Sequence, residues 1–398
     1  MEYVRLGDIC TKVCSGGTPT SSNPAYYDGD IPWLNTNEVN FCNIYSTNKT
    51  ISEEGLRKSA AKYVPVNTVI VAMYGVTAGK CAIAKIPLTT NQACCNLVIN
   101  DKLADYRYVY HFLYQQSDSL NKLAVGGAQQ NLNAITIKKF KIALPPLPTQ
   151  QKIASILSTY DTLIENNTKR IRLLEQMAEN LYKEWFVRFR FPGHENVEME
   201  NGLPKGWKNC SIAEYAEIMS GGTPKTDNES YYGGDIPFFT PKDARDSIFS
   251  HHTLTNITEE GLNHCNSKLY PKGTVTITAR GTVGRVNMMG CSMAMNQSCF
   301  ALKSKNHKNN IFLFFALRDA SALMKKMANG GVFDTIILKT FEHIPMLIPP
   351  EDTINAFDAL INPILDSLFS LEQQFALLTR QRDLLLPRLM SGKLEVTV

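Results

Sequence analysis

Two short segments of this chain carry residue types that hold phosphates or transfer methyl groups. Gly75-Val-Thr-Ala-Gly79-Lys80 has the outline of a phosphate-binding loop, in which backbone N–H groups and a lysine cradle phosphate oxygens. That loop needs four residues between its glycines and a Ser or Thr after the lysine, whereas this chain has three residues and Cys81. Asn23-Pro24-Ala25-Tyr26 is close to the Asn-Pro-Pro-Tyr motif of adenine methylation, but no glycine-rich turn for S-adenosylmethionine accompanies it. The first segment therefore predicts a tight turn between strands, and the second predicts a loop.

Ser15-Gly-Gly-Thr-Pro19 leaves two interpretations open. Its backbone N–H groups could form a concave nest that holds a phosphate. Alternatively, the glycines could form a chain turn that enters a strand. No Ser/His/Asp set, spaced carboxylate pair or histidine-rich ligand set stands out, and the adjacent His251-His252 pair is expected in a loop. We therefore predict no catalytic residues and no metal site.

Composition favours an ordinary soluble protein with more than one core. A chain of 398 residues suits two or three domains, with 44% hydrophobic and 20% charged residues. Its net charge of +4 permits nucleic-acid binding without arguing for it. No run of 18 apolar residues and no signal peptide is present, so we expect a cytoplasmic protein without membrane contact. The ten cysteines lack metal-binding spacing and are expected to be buried free thiols.

The most informative pattern is an internal repeat with an offset of about half the chain. A period this long indicates a duplicated domain, since solenoid repeats run to roughly 20–50 residues. One chain then presents two similar surfaces, which indicates a target with two halves. The repeated segments are Ser15–Pro19 and Ser220–Pro224, Tyr26–Pro32 and Tyr231–Pro237, Ile51–Leu56 and Ile257–Leu262, Asn91-Gln92 and Asn296-Gln297, and Gly126-Gly127 and Gly330-Gly331.

Each half consists of a globular part followed by a long helical pattern. Runs such as 67–73 and 273–279 predict strands, while 106–123 and 311–327 predict amphipathic helices. Proline clusters then stop each globular part. Apolar residues spaced alternately by three and four, from 157 to 185 and from 357 to 389, predict two coiled-coil helices of about 35 residues and roughly 50 Å. We expect these helices to pack on each other, antiparallel.

Polar residues and a proline interrupt the two helical patterns. Asn167 and Arg382 occupy seam positions, where polar residues often fix the register of a coiled coil. Pro363 is expected to kink the second helix or to mark its true start. The domain boundaries follow as 1–148 and 191–350 for the globular parts, the latter with a lead-in linker, and 149–190 and 351–398 for the helices.

Taken in order, these patterns resemble one family, the DNA-specificity subunit of Type I restriction-modification systems. The resemblance spans nearly the whole chain and is specific as a set. The second half departs from the pattern after Gly331 and after Pro350, where the glutamine-rich sequences are missing. Besides the repeats, the segments that carry it are Leu6–Ile9, Leu203–Trp207, Gly126–Asn131, Leu144–Ile153, Leu181–Phe189 and Leu385–Glu395.

The resemblance implies an α+β chain with two α/β target-recognition domains related by pseudo-two-fold symmetry. Two antiparallel coiled-coil helices would join them and set the unread gap of a bipartite site in double-stranded DNA. The chain would dock two methyltransferase subunits, and through them restriction subunits. It would bind no cofactor, S-adenosylmethionine being expected on the partner methyltransferase. The alternatives are a coiled-coil scaffold without DNA contact and a self-contained DNA methyltransferase.

The repeat also predicts which residues read bases. Residues identical in both halves cannot explain different half-sites, so unshared polar residues in equivalent loops are the candidate base readers. Lys80 and Arg285 occupy equivalent positions in the two halves and are both positively charged, which suits contact with phosphates. Asn and Gln pair with adenine, Arg and Lys with guanine, and Asp with cytosine. The candidate readers are Asn35, Thr36 and Asn37 opposite Thr240 and Lys242, Tyr74 opposite Arg280, and Gln129, Gln130 and Asn131 opposite Asp334 and Thr335.

Overall fold

The computed structural model describes residues 2–123, 132–306, 310–329 and 335–397. The chain divides into two compact units. Unit 1 comprises Met1–Asn166 together with Phe375–Val398, and unit 2 comprises Asn167–Gln374. Each unit therefore contains a globular part and a portion of both long helices.

Unit 1 is built on a five-stranded sheet in the order β2-β9-β6-β7-β4, with smaller sheets β5-β3-β8 and β1-β10. The helices are α1 (Glu53–Arg57), α2 (Tyr106–Gln115), α3 (Ser117–Lys122), α4 (Ala134–Lys139) and α5 (Leu147–Tyr182), the last of which continues into unit 2. The strands are β1 (Glu2–Arg5), β2 (Cys10–Ser15), β3 (Tyr27–Leu34), β4 (Cys42–Ile44), β5 (Lys49–Ile51), β6 (Val69–Ala72), β7 (Cys81–Ala84), β8 (Thr89–Thr90), β9 (Cys94–Ile99) and β10 (Lys141–Leu144).

Unit 2 repeats this topology. Its sheets run β14-β21-β18-β19-β16, β17-β15-β20 and β13-β22, with an additional pair β11-β12. The helices are α6 (Ile212–Tyr215), α7 (Glu259–Asn263), α8 (Asn310–Asn329), α9 (Leu338–His343) and α10 (Glu351–Met390). The strands are β11 (Met199–Glu200), β12 (Leu203–Pro204), β13 (Lys208–Ser211), β14 (Ala216–Ser220), β15 (Tyr232–Phe239), β16 (Phe249–Ser250), β17 (Asn256–Ile257), β18 (Val275–Thr278), β19 (Val286–Met289), β20 (Ala294–Met295) and β21 (Cys299–Ser304), with β22 (Pro345–Ile348).

The central strands consist of apolar and β-branched residues that are buried on both faces of the sheet. All four residues of β6 are fully buried, and so is every residue of β18. Both strands lie within segments that the sequence predicts as strands, so those predictions are confirmed. β-Branched Val, Ile and Thr suit a pleated surface that is covered on both sides.

Of the two shorter helix predictions, one is wrong in detail and the other is confirmed. The segment 106–123 forms two helices, α2 and α3, which are separated at Gln116, where φ is −93° and ψ is 9°. The polar run from Gln115 to Asp118 interrupts the apolar face at this point, so packing does not hold a single helix together. The helix predicted over 311–327 is confirmed as α8.

The two long helices are confirmed, with 36 residues in α5 and 40 in α10. At 1.5 Å per residue these lengths correspond to about 54 and 60 Å. The expectation that Pro363 marks a helix start is wrong, because α10 begins at Glu351 and continues through this proline. Ile361 and Leu365 are buried on either side of Pro363, so packing outweighs the hydrogen bond that the proline removes.

The apolar stripes of the long helices complete the domain cores. In unit 1, Leu157 of α5 and Leu389 of α10 belong to the same hydrophobic cluster as the five-stranded sheet. In unit 2, Tyr182 of α5 and Phe357 of α10 stack edge to face, with ring centroids 6.3 Å apart, inside the corresponding cluster. The stripes are therefore covered by the globular parts as well as by helix-on-helix contact, which the sequence pattern does not indicate.

A polar cluster links α5, α10 and α2 within unit 1. Arg382 Nη1 lies 3.0 Å from Asp161 Oδ1, and Arg382 Nη2 lies 2.8 Å from the Tyr114 hydroxyl. His111 Nε2 lies 3.6 Å from Asp161 Oδ2. Matching positions in unit 2 can be counted from the preceding prolines and from the starts of α2 and α8. Three of the four are apolar and buried, namely Ala178 for Arg382, Leu365 for Asp161 and Phe315 for His111. The fourth, Arg318 for Tyr114, lies 3.3 Å from Glu179.

None of the helices in the described segments is long and apolar enough to cross a membrane. All ten cysteines are free thiols, of which Cys81, Cys94, Cys95 and Cys299 are buried and the others are half-buried. Burial raises the pKa of Cys10 and of Cys95 to about 12, so both thiols stay protonated at neutral pH. Among the described residues, no three His, Cys, Asp or Glu side chains come together as metal ligands.

Candidate nucleic-acid interface

In unit 1, the loop after β3 and the loop after β6 lie side by side. The Thr77 hydroxyl donates to the carbonyl oxygen of Thr36 at 2.9 Å, which joins the two loops. The Asn35 backbone N–H donates to Glu38 Oε1 at 3.0 Å, so Glu38 caps the short 3₁₀ turn Thr36–Glu38. Asn35 and Thr36 are half-buried while Asn37 is exposed. The structure thus brings Asn35, Thr36 and Asn37 close to the loop that carries Tyr74, which is 40% exposed.

Unit 2 contains the same pairing of loops with different side chains. The Thr282 hydroxyl donates to the carbonyl oxygen of Pro241 at 3.1 Å. Both the backbone N–H and the hydroxyl of Thr240 donate to Asp243 Oδ2, at 2.8 and 2.7 Å. The Thr240 hydroxyl proton is therefore engaged inside the loop, whereas Lys242 and Arg280 are exposed. Two loops with unshared polar residues meet at one place in each unit.

The third predicted loop lies largely outside the described residues, which exclude Gln129, Gln130, Asn131 and Asp334. The residues that follow it are described. The Leu132 N–H donates to the Met73 carbonyl oxygen at 2.9 Å, and the Ile336 N–H donates to the Ala279 carbonyl oxygen at 3.0 Å. Thr335, directly before Ile336, is half-buried. In both units the chain after the third loop is thus fixed next to the loop of Tyr74 or Arg280.

Lys80 and Arg285 both point toward the end of the first loop. Lys80 Nζ donates to Asn40 Oδ1 at 2.8 Å, and Arg285 Nη1 donates to the Ala244 carbonyl oxygen at 2.9 Å. Arg285 Nε also lies 3.8 Å from Asp246 Oδ1. Each cation is half-buried, so it supports its loop and still adds positive charge to the surface.

The glycines of the repeated Ser-Gly-Gly-Thr-Pro segment are explained by close backbone packing. A Cβ at Gly16 would lie 1.9 Å from the Thr90 carbonyl oxygen, and one at Gly221 would lie 2.2 Å from the Asn296 carbonyl oxygen. The Gly17 N–H donates to that same Thr90 oxygen at 2.9 Å, so it is not free to hold an anion. Ser15 and Ser220 end strands β2 and β14, so the turn leaves a strand, and the expectation that it enters one is wrong. These glycines let two backbones approach closely.

Two other short motifs are structural, as the sequence predicts. The turn at Gly75–Thr77 joins the antiparallel strands β6 and β7, which confirms a tight turn in place of a phosphate loop. The Asn23 side chain accepts from the Ala25 N–H and begins the short 3₁₀ turn Pro24–Tyr26. Asn228 plays the same part for Glu229–Tyr231 in unit 2, so both segments are capped turns.

One pair of polar residues was not among the predicted site residues. In unit 1 the Thr18 hydroxyl donates to Gln92 Oε1, and in unit 2 the Thr223 hydroxyl donates to Gln297 Oε1. Both pairs are exposed, and the neighbouring Asn91 N–H donates to the Leu34 carbonyl oxygen at the start of the first loop. The recurrence of Thr-Pro and Asn-Gln at one spacing in both halves was the signal available in the sequence. This bond leaves the Gln amide N–H₂ group at the surface as a donor.

Comparison with known proteins agrees with this geometry. The family model described as "Type I restriction modification DNA specificity domain" matches residues 1–176 and 204–380. The MjaIX specificity subunit of Methanocaldococcus jannaschii is 28% identical over 407 residues, covering 99% of this chain and 94% of that protein. The HindI specificity subunit of Haemophilus influenzae is 26% identical over 322 residues, covering 65% and 70%.

A solved structure shows the same fold. The Type I restriction-modification S subunit from M. genitalium superposes with a TM-score of 0.69 at 16% identity and covers 100% of this chain and 96% of that one. The two segments matched by the family model follow the internal duplication and span far more than half of the chain. This chain therefore belongs to the family of Type I restriction-modification DNA specificity subunits, and it is a non-catalytic DNA-recognition subunit.

Proposed function

We propose that each unit reads one half of a bipartite, gapped site in double-stranded DNA. The observation that carries this proposal is the recurrence of one loop pairing with unshared polar side chains. Because the two units share strand order and loop anchoring, a different sequence can be read only through residues that differ. Asn37 and Tyr74 in unit 1, and Lys242 and Arg280 in unit 2, are exposed and differ between the units.

The remaining candidates take supporting or additional roles in this proposal. Asn35, Thr36 and Thr240 shape the first loop, while Lys80 and Arg285 contribute phosphate contacts through their charge. Gln129, Gln130, Asn131, Asp334 and Thr335 complete the reading set. The Gln92 and Gln297 amides are shared by both units, so phosphate contact suits them better than base reading.

We further propose that α5 and α10 run antiparallel and act as a ruler for the unread gap, with pseudo-two-fold symmetry relating the recognition domains. The contact of Asp161 with Arg382 and the contact of Tyr182 with Phe357 support this direction, because residues late in one helix meet residues early in the other. Helix surface that the domains leave uncovered would dock two methyltransferase subunits, and restriction subunits would join through them. S-adenosylmethionine belongs to the methyltransferase in this scheme, and the complex works in the cytoplasm.

The experiment that tests this function is genome-wide mapping of adenine methylation. Cells that express this chain with its partner methyltransferase should show one bipartite, gapped motif that cells without the chain lack. Exchange of residues 1–148 for the equivalent part of another family member should change one half of the motif and leave the other intact. A methylation pattern that does not depend on the chain would contradict the proposal.

Two alternatives make different predictions. A scaffold without DNA contact would leave the assembled complex with no salt-dependent affinity for its mapped site. A self-contained methyltransferase would methylate DNA as a purified chain supplied with S-adenosylmethionine. The comparisons support neither, because the relatives described above are specificity subunits.

A further inference from the structure

A shallow basic groove of about 440 Å³ lies on unit 1, and none of the candidate base readers lines it. It runs between strand β2, the 3₁₀ turn Leu6–Ile9 and helix α4. Gly7 gives the helix room, since a Cβ there would lie 3.3 Å from Lys138 Cβ. The charged residues that line the groove are Arg5, Lys12, Lys138 and Lys139, with Asp8 as a carboxylate.

The cations of the groove are available to a ligand. All four are exposed, and among the described residues none has a carboxylate oxygen within 4 Å of its nitrogen atoms. Four positive charges and one negative charge leave a formal excess of +3 in this groove. Like charges held close together without partners repel one another, and a bound polyanion would relieve that repulsion.

Unit 2 has acidic or neutral residues at the same positions. Lys12 and Glu217 each lie three residues before the serine that ends the first strand of the five-stranded sheet. Lys138 and Glu342 are each the fifth residue of a six-residue helix, α4 or α9. Ser211 replaces Arg5, His343 replaces Lys139, and Glu214 replaces Asp8. Because both units fold alike with either sign of charge, the fold does not require the lysines of unit 1.

The groove adjoins the candidate reading surface through two elements. Strand β2 leads from Lys12 to Ser15, about 10 Å at 3.3 Å per residue, and then to Thr18 and its bond with Gln92. Helix α4 starts two residues after Leu132, which is fixed beside Met73 and Tyr74. A distance of about 10 Å corresponds to roughly three base pairs along the duplex axis.

We propose that this groove binds backbone phosphates of the DNA next to the half-site read by unit 1, and that unit 2 makes no equivalent contacts. This inference rests on the proposed function. The chain would then bind its two half-sites with unequal numbers of phosphate contacts, several more of them at the half-site of unit 1. Such contacts add affinity and register without adding sequence information.

The experiment uses the chain assembled with its methyltransferase and a duplex containing the mapped site. Each phosphate contact contributes a slope of about −0.9 to the dependence of log affinity on log salt. Lys12→Gln together with Lys138→Gln should reduce the magnitude of the slope by nearly 2, with the methylated motif unchanged. Lys49→Gln together with Lys58→Gln removes the same charge elsewhere in unit 1 and should leave the slope almost unaltered. The reciprocal pair Glu217→Lys and Glu342→Lys should steepen the slope.

Phosphate ethylation interference locates the contacts. With the wild-type complex, ethylation of phosphates beside the first half-site should prevent binding, and ethylation beside the second should not. With the Lys12/Lys138 variant, ethylation beside the first half-site should no longer interfere. An unchanged slope and pattern in a variant complex that still selects its site would overturn the groove proposal alone. Reduced assembly with methyltransferase at an unchanged slope would also overturn it, in favour of an acidic protein surface. Failure of the wild-type complex to prefer its site would instead overturn the proposed function.

Discussion

At the scale of single residues, the duplication separates structural roles from reading roles. The glycines of both Ser-Gly-Gly-Thr-Pro segments are identical because neighbouring backbone atoms leave no space for a Cβ. Tyr74 and Arg280 stand at matching places after β6 and β18, are both exposed, and differ completely in chemistry. A guanidinium donates two parallel hydrogen bonds to guanine, which tyrosine cannot imitate.

We predict that Arg280→Ala relaxes one base position in the half-site of unit 2. The loss should amount to about 1–3 kcal/mol of discrimination, since one bidentate contact disappears. Methylation mapping of the variant measures this directly. The matched control is Tyr74→Ala, which should affect the other half-site, and relaxation of both halves by Arg280→Ala would contradict the assignment.

A second residue-scale prediction concerns His111. Burial, reinforced by the positive charge of Arg382, lowers the pKa of this imidazole to about 3, while the unfolded chain titrates near 6.5. Between pH 3 and pH 6.5 the imidazole is therefore protonated in the unfolded state and neutral in the folded state. The free energy of unfolding should fall as pH drops below about 6.5, by roughly 1 kcal/mol between pH 6.5 and 5.5.

Hydrogen exchange across Tyr106–Gln115 at pH 7.5, 6.5 and 5.5, corrected for intrinsic rates, measures this loss of stability. His111→Phe installs the side chain found at the matching position of unit 2 and should remove the contribution of this group. An equal pH dependence in the variant would show that His111 is not its source.

At the scale of elements, one helix-to-helix contact is polar in unit 1 and apolar in unit 2. Arg382 is a seam position that the sequence marks as polar, and its partners Asp161 and Tyr114 come from two other helices. Burial raises the pKa of Asp161, and the hydrogen bond and charge of Arg382 oppose that shift. The pair is 13% and 22% exposed, so removal of one partner leaves the other poorly compensated.

We expect Arg382→Ala to destabilise unit 1 by about 3 kcal/mol, because Asp161 then stays buried without its counter-charge. Arg382→Ala combined with Asp161→Leu copies the residues Ala178 and Leu365 of unit 2 and should recover much of the loss. Chemical denaturation of the single and double variants measures both values. Equal destabilisation of the single and the double variant would show that lost packing is the cause, and not the unpaired buried carboxylate of Asp161.

Sequence patterns predict the elements well and their interruptions poorly. The runs that form β6 and β18 consist of Val, Ile, Thr and Ala, and every residue of both strands is buried. Pro363 is expected to kink or start a helix, yet it lies inside α10. The polar run from Gln115 to Asp118 lies within one predicted helix, yet it separates α2 from α3. The difference comes from tertiary burial around each position, which local propensity does not contain.

At the scale of the whole molecule, the proposed ruler role of the long helices predicts how the gap should change when the helices are lengthened. Inserting about seven residues after Asn166 in α5 and after Gln374 in α10 would preserve the heptad pattern. At 1.5 Å per residue the helices would lengthen by about 10 Å, which is close to three base pairs. We predict that the methylated motif keeps both half-sites and gains about three base pairs in its gap.

Methylation mapping of the double insertion is the measurement, with insertion into α5 alone as the control. The single insertion should break the match between the two helices and abolish specific methylation. A motif with its original gap in the double insertion would contradict the ruler role.

The duplication and the two helices could be predicted because each is a long pattern with many independent residues. The site was harder, because base-reading residues obey no periodicity and sit in loops. Comparison of the two halves still identified loops that the structure brings together, namely those of Asn37 with Tyr74 and of Lys242 with Arg280. The Thr18–Gln92 bond was missed because it joins two motifs that look unrelated along the chain.

The discontinuity of unit 1 affects the order in which the chain can fold during synthesis. Unit 2 is one uninterrupted stretch, whereas the core of unit 1 includes Leu386, Leu389 and Met390. At roughly 5–20 residues per second, ribosomes deliver these side chains some ten to forty seconds after Asn166. During that interval unit 2 can complete its core while the earlier-made recognition domain still exposes apolar surface. We therefore expect the domain translated first to complete its core last, and its apolar surface to be open to chaperone binding in that interval.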